Sequence, residues 1–339
     1  MDDSTKSTTD EIITLLEQNA RREAFACLEQ IESVPTAQRK SAVRSLRDVA
    51  ENRPELVGQL CSALVPFLED SARPVRLTTA KLFVSVARSN PDAVVSAVSP
   101  LADRLSDEGE FYYVRARAAE ALGFVAISYP DEVASPSVLA DLRVGLAFDE
   151  PEVKEKLAKA LECVALGDPS RLRHHVSALA AHLDDESELV RYHLTTALVV
   201  LGCEHPERLT TAGDELTGCL DDDSPYVRGR AAEALGLLAA EVDRGVLPIP
   251  TLQTLKDEGT TEEFVRERVQ FALSAVGVVD VGHDKKHGDL VGCLSGIRRS
   301  TETATKAISA PNTDSECPHC GLPLPDEGPP MCPRCGTPN

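Results

Sequence analysis

The chain has 339 residues, of which 42% are hydrophobic and 4% aromatic, and it carries a formal net charge of −20. Its longest apolar runs, such as 197–202, are far too short to cross a bilayer, which argues against a membrane protein. The acidity disfavours a nucleic-acid-binding protein, because such proteins present a basic surface to the phosphate backbone.

The N-terminal residues 1–9 are polar and contain no apolar segment of the kind found in signal peptides. We therefore expect a disordered N-terminus and a cytoplasmic protein. Six cysteines outside the C-terminal tail show no disulfide framework spacing, and those in the repeats are interpreted as small buried hydrophobic residues. They are Cys27, Cys61, Cys163, Cys203, Cys219 and Cys293.

The acidic residues outnumber the basic ones 55 to 35, and only ten of the basic residues are lysines. This composition resembles that of haloarchaeal proteins, which stay hydrated in molar salt through an acidic surface. We interpret the acidity as adaptation to the solvent rather than as a binding site for a basic partner.

A unit of about 38 residues repeats along the chain. Residues 114–123 and 227–236 are near copies, VRARAAEALG and VRGRAAEALG, and their leading valine recurs every 37 to 39 residues. Units of this length cannot bury their apolar faces alone and must stack on their neighbours. The repeat valines are Val75, Val114, Val153, Val190, Val227 and Val265.

Each unit is predicted to be a helical hairpin. Counted from the repeat valine, positions +4, +7 and +8 are mostly apolar, which makes one stripe on a helix. An acidic turn precedes this helix, as in 223–225, where it supplies a cap. Prolines spaced 37 to 39 residues apart open a second helix in each unit. They are Pro54, Pro91, Pro130, Pro169 and Pro206.

At these residues the chain resembles the HEAT repeats, most closely the short units named after phycobilisome lyases. The resemblance covers residues 10–279 and implies an all-α fold: a right-handed, ARM-type solenoid of about seven hairpins. It also implies a charge ladder, in which the basic residue after each valine pairs with an acidic turn of an adjacent repeat. The ladder residues are Arg76, Arg115, Lys154, Arg191, Arg228 and Arg266. In the first unit, Gln38-Arg39 departs from the pattern, as a capping repeat can.

The C-terminal part divides into a linker and a small module. Residues 280–316 are rich in Gly, Ser, Thr, Asp and Lys and are predicted to be a flexible linker, with a basic docking segment as the alternative. Residues 317–339 carry two C-x-x-C motifs, which resemble a short zinc ribbon and predict one structural Zn²⁺ held by four thiolates. The predicted ligands are Cys317, Cys320, Cys332 and Cys335.

A column of basic or titratable residues occupies position +3 of five consecutive units, and we expect it near the concave face. Its members are Arg117, Lys156, His193, Arg230 and Arg268. One interpretation is a stripe that recognises an acidic partner segment. The other is local, because Arg117 with Glu120 and Arg230 with Glu233 form i, i+3 pairs that solvate a helix. In both, Arg230 is expected to be exposed.

The pattern favours a non-catalytic scaffold whose concave face binds a protein partner, with the zinc ribbon as an accessory docking module. A zinc ion closed by four cysteines has no open position for catalysis. One alternative is a nucleic-acid-associated HEAT protein. Another is a lyase-like or hydroxylase-like HEAT enzyme, which is disfavoured because no histidine is followed directly by a glutamate in the sequence. A cluster of four histidines, His174, His175, His182 and His193, is interpreted as solvated surface.

Overall fold

The computed structural model describes residues 3–241, 248–257, 262–278 and 291–308. Within these ranges the regular structure is helical and contains no strand, and no helix is long and apolar enough to cross a membrane. The α-helices are α1 (Asp3–Glu17), α2 (Arg21–Glu32), α3 (Thr36–Ala50), α4 (Pro54–Gly58), α5 (Cys61–Leu64), α6 (Arg73–Ser89), α7 (Val98–Ser106), α8 (Tyr112–Ala126), α9 (Pro130–Val133), α10 (Pro136–Val144), α11 (Pro151–Gly167), α12 (Val176–Ala180), α13 (Glu188–Gly202), α14 (Gly213–Gly218), α15 (Pro225–Glu241), α16 (Ile249–Asp257), α17 (Glu263–Ala275) and α18 (Leu294–Ile308).

Two layers of helices stack along the repeat axis, as the periodicity predicts. The long second helices of the units pack one on the next in the order α3, α6, α8, α11, α13, α15 and α17, and all of them except α3 carry a repeat valine. All six repeat valines are fully buried, because each apolar stripe packs against the shorter helices and the neighbouring repeats. The predicted all-α solenoid of seven hairpins is confirmed across the described residues.

The first helix of each unit is shorter and more irregular than predicted. The recurring prolines do start these segments, but several of them start 3-10 turns instead of regular α-helix. In the fourth unit, for example, α9 ends after four residues and α10 starts anew at Pro136. The 3-10 segments are Val65–Leu68, Pro91–Ala97, Gly145–Ala147, Pro169–Leu172, Pro206–Ala212 and Cys219–Asp221.

The charge ladder links each unit to the next. Arg191 Nε and Nη2 lie 2.6 and 2.9 Å from the two carboxylate oxygens of Asp222, and Lys154 Nζ lies 2.6 Å from Asp185. The first unit follows the same rule, because Arg39 makes the bidentate bond to Asp70. The unusual Gln38-Arg39 sequence therefore keeps the cation that the ladder needs.

Three steps of the ladder differ from the expected pairing with an aspartate. Arg76 forms its bidentate bond with Glu110, three residues beyond the expected aspartate of that turn. The guanidinium of Arg228 is 3.6 Å from Glu262 and donates mainly to carbonyl oxygens of its own turn. Arg115 donates to a carbonyl oxygen and lies over the Phe148 ring at 4.8 Å. The position of the cation is therefore predictable, whereas its partner depends on the turn.

Two segments expected to be irregular are helical. Helix α1 begins at Asp3, and Thr9 is buried, so the described part of 1–9 is not disordered. Residues 294–308, inside the predicted linker, form α18, because Leu294, Ile297 and Ile308 fall on one apolar face. The predicted zinc ribbon, 317–339, lies outside the described residues.

The six cysteines outside the C-terminal tail are free thiols. Cys61, Cys163 and Cys219 are buried, and burial raises the pKa of each thiol to about 12. These three behave as the predicted small hydrophobic residues, because a thiol with so high a pKa does not ionise near neutrality. The other three, Cys27, Cys203 and Cys293, are half-buried.

Candidate interaction surface

The long helices present one face away from the shorter helices. Counted from the repeat valine, positions +3, +6, +10 and +13 lie along one side of each helix, next to the apolar stripe. We call the surface that these positions form, from α3 to α17, the inner face. The predicted stripe at position +3 runs along it.

In the middle of the inner face, three cations surround one buried carboxylate. Arg117 Nη1 lies 2.5 Å from Glu120 Oε2, and Lys156 Nζ and Lys159 Nζ each lie 3.5 Å from Glu120 Oε1. Burial by itself would raise the pKa of Glu120, but Lys156, Arg117 and Lys159 together hold it well below its usual range. The glutamate is therefore ionised and neutralises one of the three positive charges.

The next member of the stripe, His193, is not at the surface. Its Nδ1 atom lies 2.6 Å from Glu162 Oε2, and only 3% of each side chain is exposed. The imidazole of His193 and the carboxylate of Glu162 are therefore hydrogen-bonded to each other inside the repeat array. His193 is unavailable to an external partner in this state.

Arg230 is the largest fully buried side chain of the described residues, so the expectation that it is exposed is wrong. Its Nη1 donates to Glu233 Oε2 at 2.7 Å, and Arg268 Nε donates to the same oxygen at 3.0 Å. Burial would raise the pKa of Glu233, but Arg230 and Arg268 lower it below its ordinary value, with help from a backbone amide. Two arginines thus share one buried carboxylate, while Tyr192 and Phe264 flank the guanidinium of Arg230.

Helix α18 covers this part of the inner face. Arg230 Nη2 donates to Ser300 Oγ at 2.9 Å and to Thr301 Oγ1 at 3.2 Å. At the start of the segment, the Gly292 amide donates to Glu233 Oε1 at 2.8 Å. The long-range docking of α18 therefore contributes to the burial of Arg230.

The stripe is therefore divided into two parts. Arg117 and Lys156 keep 15% and 26% of their side chains exposed, whereas His193, Arg230 and Arg268 are buried and ion-paired inside the protein. The predicted i, i+3 pairs of Arg117 and Arg230 are both present. They do not merely solvate a helix, because their glutamates at position +6 are buried.

Sequence reasoning missed these glutamates as structural residues. The signal was present, because Glu120 and Glu233 are the same letter in the two near copies and stand among alanines of a packed helix. A glutamate in such surroundings needs a cationic partner when it is buried. The matching cation is the arginine three residues before it.

The part of the inner face that α18 leaves open is a cationic groove. A cavity of about 340 Å³ lies between α3, α6 and α8 and is lined by Arg47, Lys81, Arg88 and Arg117, with Glu51 as its acid. Arg47 also pairs with Asp48 at 2.7 Å. Arg88 has no ion-pair partner among the described residues and lies over the Phe124 ring at 5.4 Å.

The remaining candidate ligands give no metal site within the described ranges. His174 is exposed, and His175 and His182 are half-buried. The part of the chain that the structure describes contains no group of three or more potential ligands that could hold a metal ion. Cys317, Cys320, Cys332 and Cys335 lie outside that part.

Comparison with known proteins supports the solenoid fold. The HEAT repeats family matches residues 98–199. A designed armadillo repeat protein superposes with a TM-score of 0.56 at 21% identity, over 63% of this chain and 99% of its own. The protein has the α-solenoid fold of these armadillo-type structures, and its residues 98–199 are similar to HEAT repeats. No curated protein matches its sequence.

Two further solved structures share the solenoid fold. An engineered protein aligns with 91% of this chain and 87% of its own, with a TM-score of 0.61 at 18% identity. A second designed armadillo repeat protein, solved in complex with the peptide (KR)4, covers 62% of this chain and 97% of its own, with a TM-score of 0.56 at 23% identity. At these identities the likeness establishes the fold alone.

Proposed function

We propose that this solenoid is a non-catalytic cytoplasmic scaffold that binds protein partners through its inner face. The cationic groove carries the proposal, because four basic side chains and one carboxylate line it on a protein of net charge −20. An armadillo-type neighbour solved with a peptide supports peptide binding by this architecture.

The charge of the groove indicates an acidic partner segment. A cationic surface on an otherwise acidic protein steers and orients an acidic chain, which the remaining surface repels. Lys81 and Arg88 line the groove about two turns apart on α6, so an extended peptide or a helix can meet both. The observed groove supports the acidic-segment interpretation for Arg117, but not for the buried members of the stripe.

Nucleic acid is the weaker candidate for the same groove. A duplex extends well beyond a cavity of about 340 Å³ and would meet other parts of a protein whose net charge is −20. Acidic turns of later repeats contribute to that negative charge, among them Asp184, Asp185 and Asp221 to Asp223. The attraction between the groove and a long polyanion is therefore offset by repulsion between the rest of that polyanion and the acidic protein surface.

Charge reversal in the groove tests the proposal. We expect the variant Lys81→Glu/Arg88→Glu to bind a short fluorescein-labelled polyglutamate peptide about tenfold more weakly than the unmodified protein, a loss of about 1.4 kcal/mol. The reason is that two attractive charges become repulsive. Fluorescence anisotropy at matched salt measures the affinity.

The matched control is Arg173→Glu/Arg208→Glu, which makes the same change in net charge at exposed turns of the outer layer. It should bind the peptide almost as well as the unmodified protein. Equal weakening in both double variants would show that only net charge matters and would refute the groove. Tighter binding of duplex DNA than of the peptide would favour the nucleic-acid alternative.

We also propose that the C-terminal module holds one structural zinc ion through Cys317, Cys320, Cys332 and Cys335. The support is the sequence itself, because two C-x-x-C motifs supply four thiolates for a tetrahedral ion. We expect metal analysis to find one zinc per chain in protein purified without chelators, and none in Cys317→Ser/Cys320→Ser. Cys27→Ser should keep its zinc, and zinc-free unmodified protein would refute the assignment.

A further inference from the structure

Helix α18 covers the C-terminal half of the inner face, well apart from the cationic groove. It packs mainly on α13, and it also contacts residues of α11, α15 and α17. Leu294, Ile297, Ala304 and Ile308 point to one side at helical spacing, and Ile297 and Ala304 are at most 1% exposed. The array thus holds an amphipathic helix by the side chains of one face.

The polar contacts of α18 place neutral groups against a site with excess positive charge. Arg230 and Arg268 share the single buried carboxylate of Glu233, and Glu267 approaches Arg268 only at 4.0 Å. The Nε atom of Arg230 has no hydrogen-bond partner among the described residues. Among the described side chains of α18, those that bond this pair are the hydroxyl groups of Ser300 and Thr301.

We propose that this half of the inner face, from α11 to α17, is a helix-binding groove that α18 occupies and that accepts in its place an acidic amphipathic helix from a partner. That helix would carry a carboxylate at the position of Ser300, between apolar residues that replace Ile297 and Ala304. The carboxylate would form a charge-assisted bond with Arg230 and Arg268, which is stronger than the hydroxyl bonds of α18. This second site goes beyond the cationic groove and does not depend on it.

Helix α18 can be exchanged because the charged residues beneath it form ion pairs that do not involve α18. Arg230, Glu233 and Arg268 remain paired with one another when α18 leaves, and so do His193 and Glu162. Helix α18 is not part of a repeat, and residues 279–290 join it to the array. Its departure leaves the stacking of the repeat helices unbroken.

The test uses the full chain and two synthetic peptides of residues 291–308, one unmodified and one with S300D. The variant Ile297→Asp places a charge at the fully buried anchor of α18 and should release the helix. We expect the labelled S300D peptide to bind this variant at least tenfold more tightly than the unmodified protein, where the tethered α18 competes. The unmodified peptide should bind the same variant more weakly than the S300D peptide does.

Cys203 reports the docking of α18 independently of the peptides. Its thiol donates to the carbonyl oxygen of Gly292, and burial raises its pKa to about 12, so it should alkylate slowly in the unmodified protein. Alkylation located by mass spectrometry should be faster at Cys203 in Ile297→Asp. Arg299→Asp changes the exposed side of α18 and should leave Cys203 protected.

Several outcomes would overturn the proposal. These are equal binding of the S300D peptide to Ile297→Asp and Arg299→Asp, or equal affinity of the two peptides for Ile297→Asp.

If circular dichroism shows that Ile297→Asp does not fold, the S300D peptide is added to unmodified protein, where it must accelerate Cys203 alkylation. A doubled mass of Ile297→Asp in light scattering would assign the groove to a second copy of the chain instead. Loss of polyglutamate binding in Lys81→Glu/Arg88→Glu concerns only the other groove, and that variant should bind the S300D peptide normally.

Discussion

Replacing Arg230 with alanine is expected to lower the free energy of unfolding by about 3 kcal/mol, which is the lower end of the cost of breaking a buried ion pair. Arg230 is fully buried and bonds Glu233 at 2.7 Å, so its loss leaves a buried carboxylate with Arg268 as its remaining cation. It also removes the donor to Ser300 and Thr301 of α18. Urea denaturation followed by circular dichroism measures the change.

The control two residues earlier is Arg228→Ala. Arg228 keeps 18% of its side chain exposed and donates mainly to carbonyl oxygens of its own turn, so its removal should cost about 1 kcal/mol. This order reverses what the repeat pattern alone predicts, because that pattern treats Arg230 as exposed. Equal losses in the free energy of unfolding for the two variants would show that Arg230 stabilises the fold no more than Arg228 does.

The effect of pH provides a second check on the same residue. The folded state lowers the pKa of Glu233, so the stabilisation from its ion pairs is present above the unfolded pKa of about 4.3 and is lost as the pH falls through the lower, folded pKa. The difference in stability between Arg230→Ala and the unmodified protein should therefore shrink in acid. A difference that stays constant down to strongly acidic pH would assign the loss to packing alone.

The architecture was predictable because each repeat shows the same local pattern. The valine that starts each stripe predicts a buried position, and all six repeat valines are buried. The cation after the valine predicts a bond to the following unit, which Arg191 and Asp222 make. Such a pattern is reliable because it recurs in every unit, and every unit packs its apolar stripe against its neighbours in the same way.

The inner face was harder to predict because its surroundings come from far along the chain. Arg230 is covered by Ser300, 70 residues later, and no local pattern around position 230 indicates this. The amphipathic spacing from Leu294 to Ile308 does predict a helix in the segment, but not the surface that receives it. Exposure of a helical residue therefore depends on contacts that the repeat pattern does not contain.

Replacing Gly167 with alanine is expected to destabilise the array by about 3 kcal/mol, the upper part of the usual range for overpacking. Gly167 ends α11 where it crosses the end of α8, and a Cβ atom there would overlap the carbonyl oxygen of Ala126 and lie 3.0 Å from its carbonyl carbon. Both atoms belong to the backbone, so the clash cannot be relieved by rotating a side chain. The two helices must separate, which reduces the packing of their shared apolar stripe. Thermal and urea denaturation of the full chain measure the loss.

Gly213→Ala is the matched control, because the same atom is added where no neighbouring atom of the described residues lies within 4 Å. Gly213 begins α14 with helical φ, so alanine there should leave stability unchanged or raise it by up to about 1 kcal/mol by restricting the unfolded chain. The two substitutions are chemically identical and differ only in the distance to neighbouring backbone. If both variants unfold at the same urea concentration, the close approach of α8 and α11 at Gly167 does not limit the packing of the repeats.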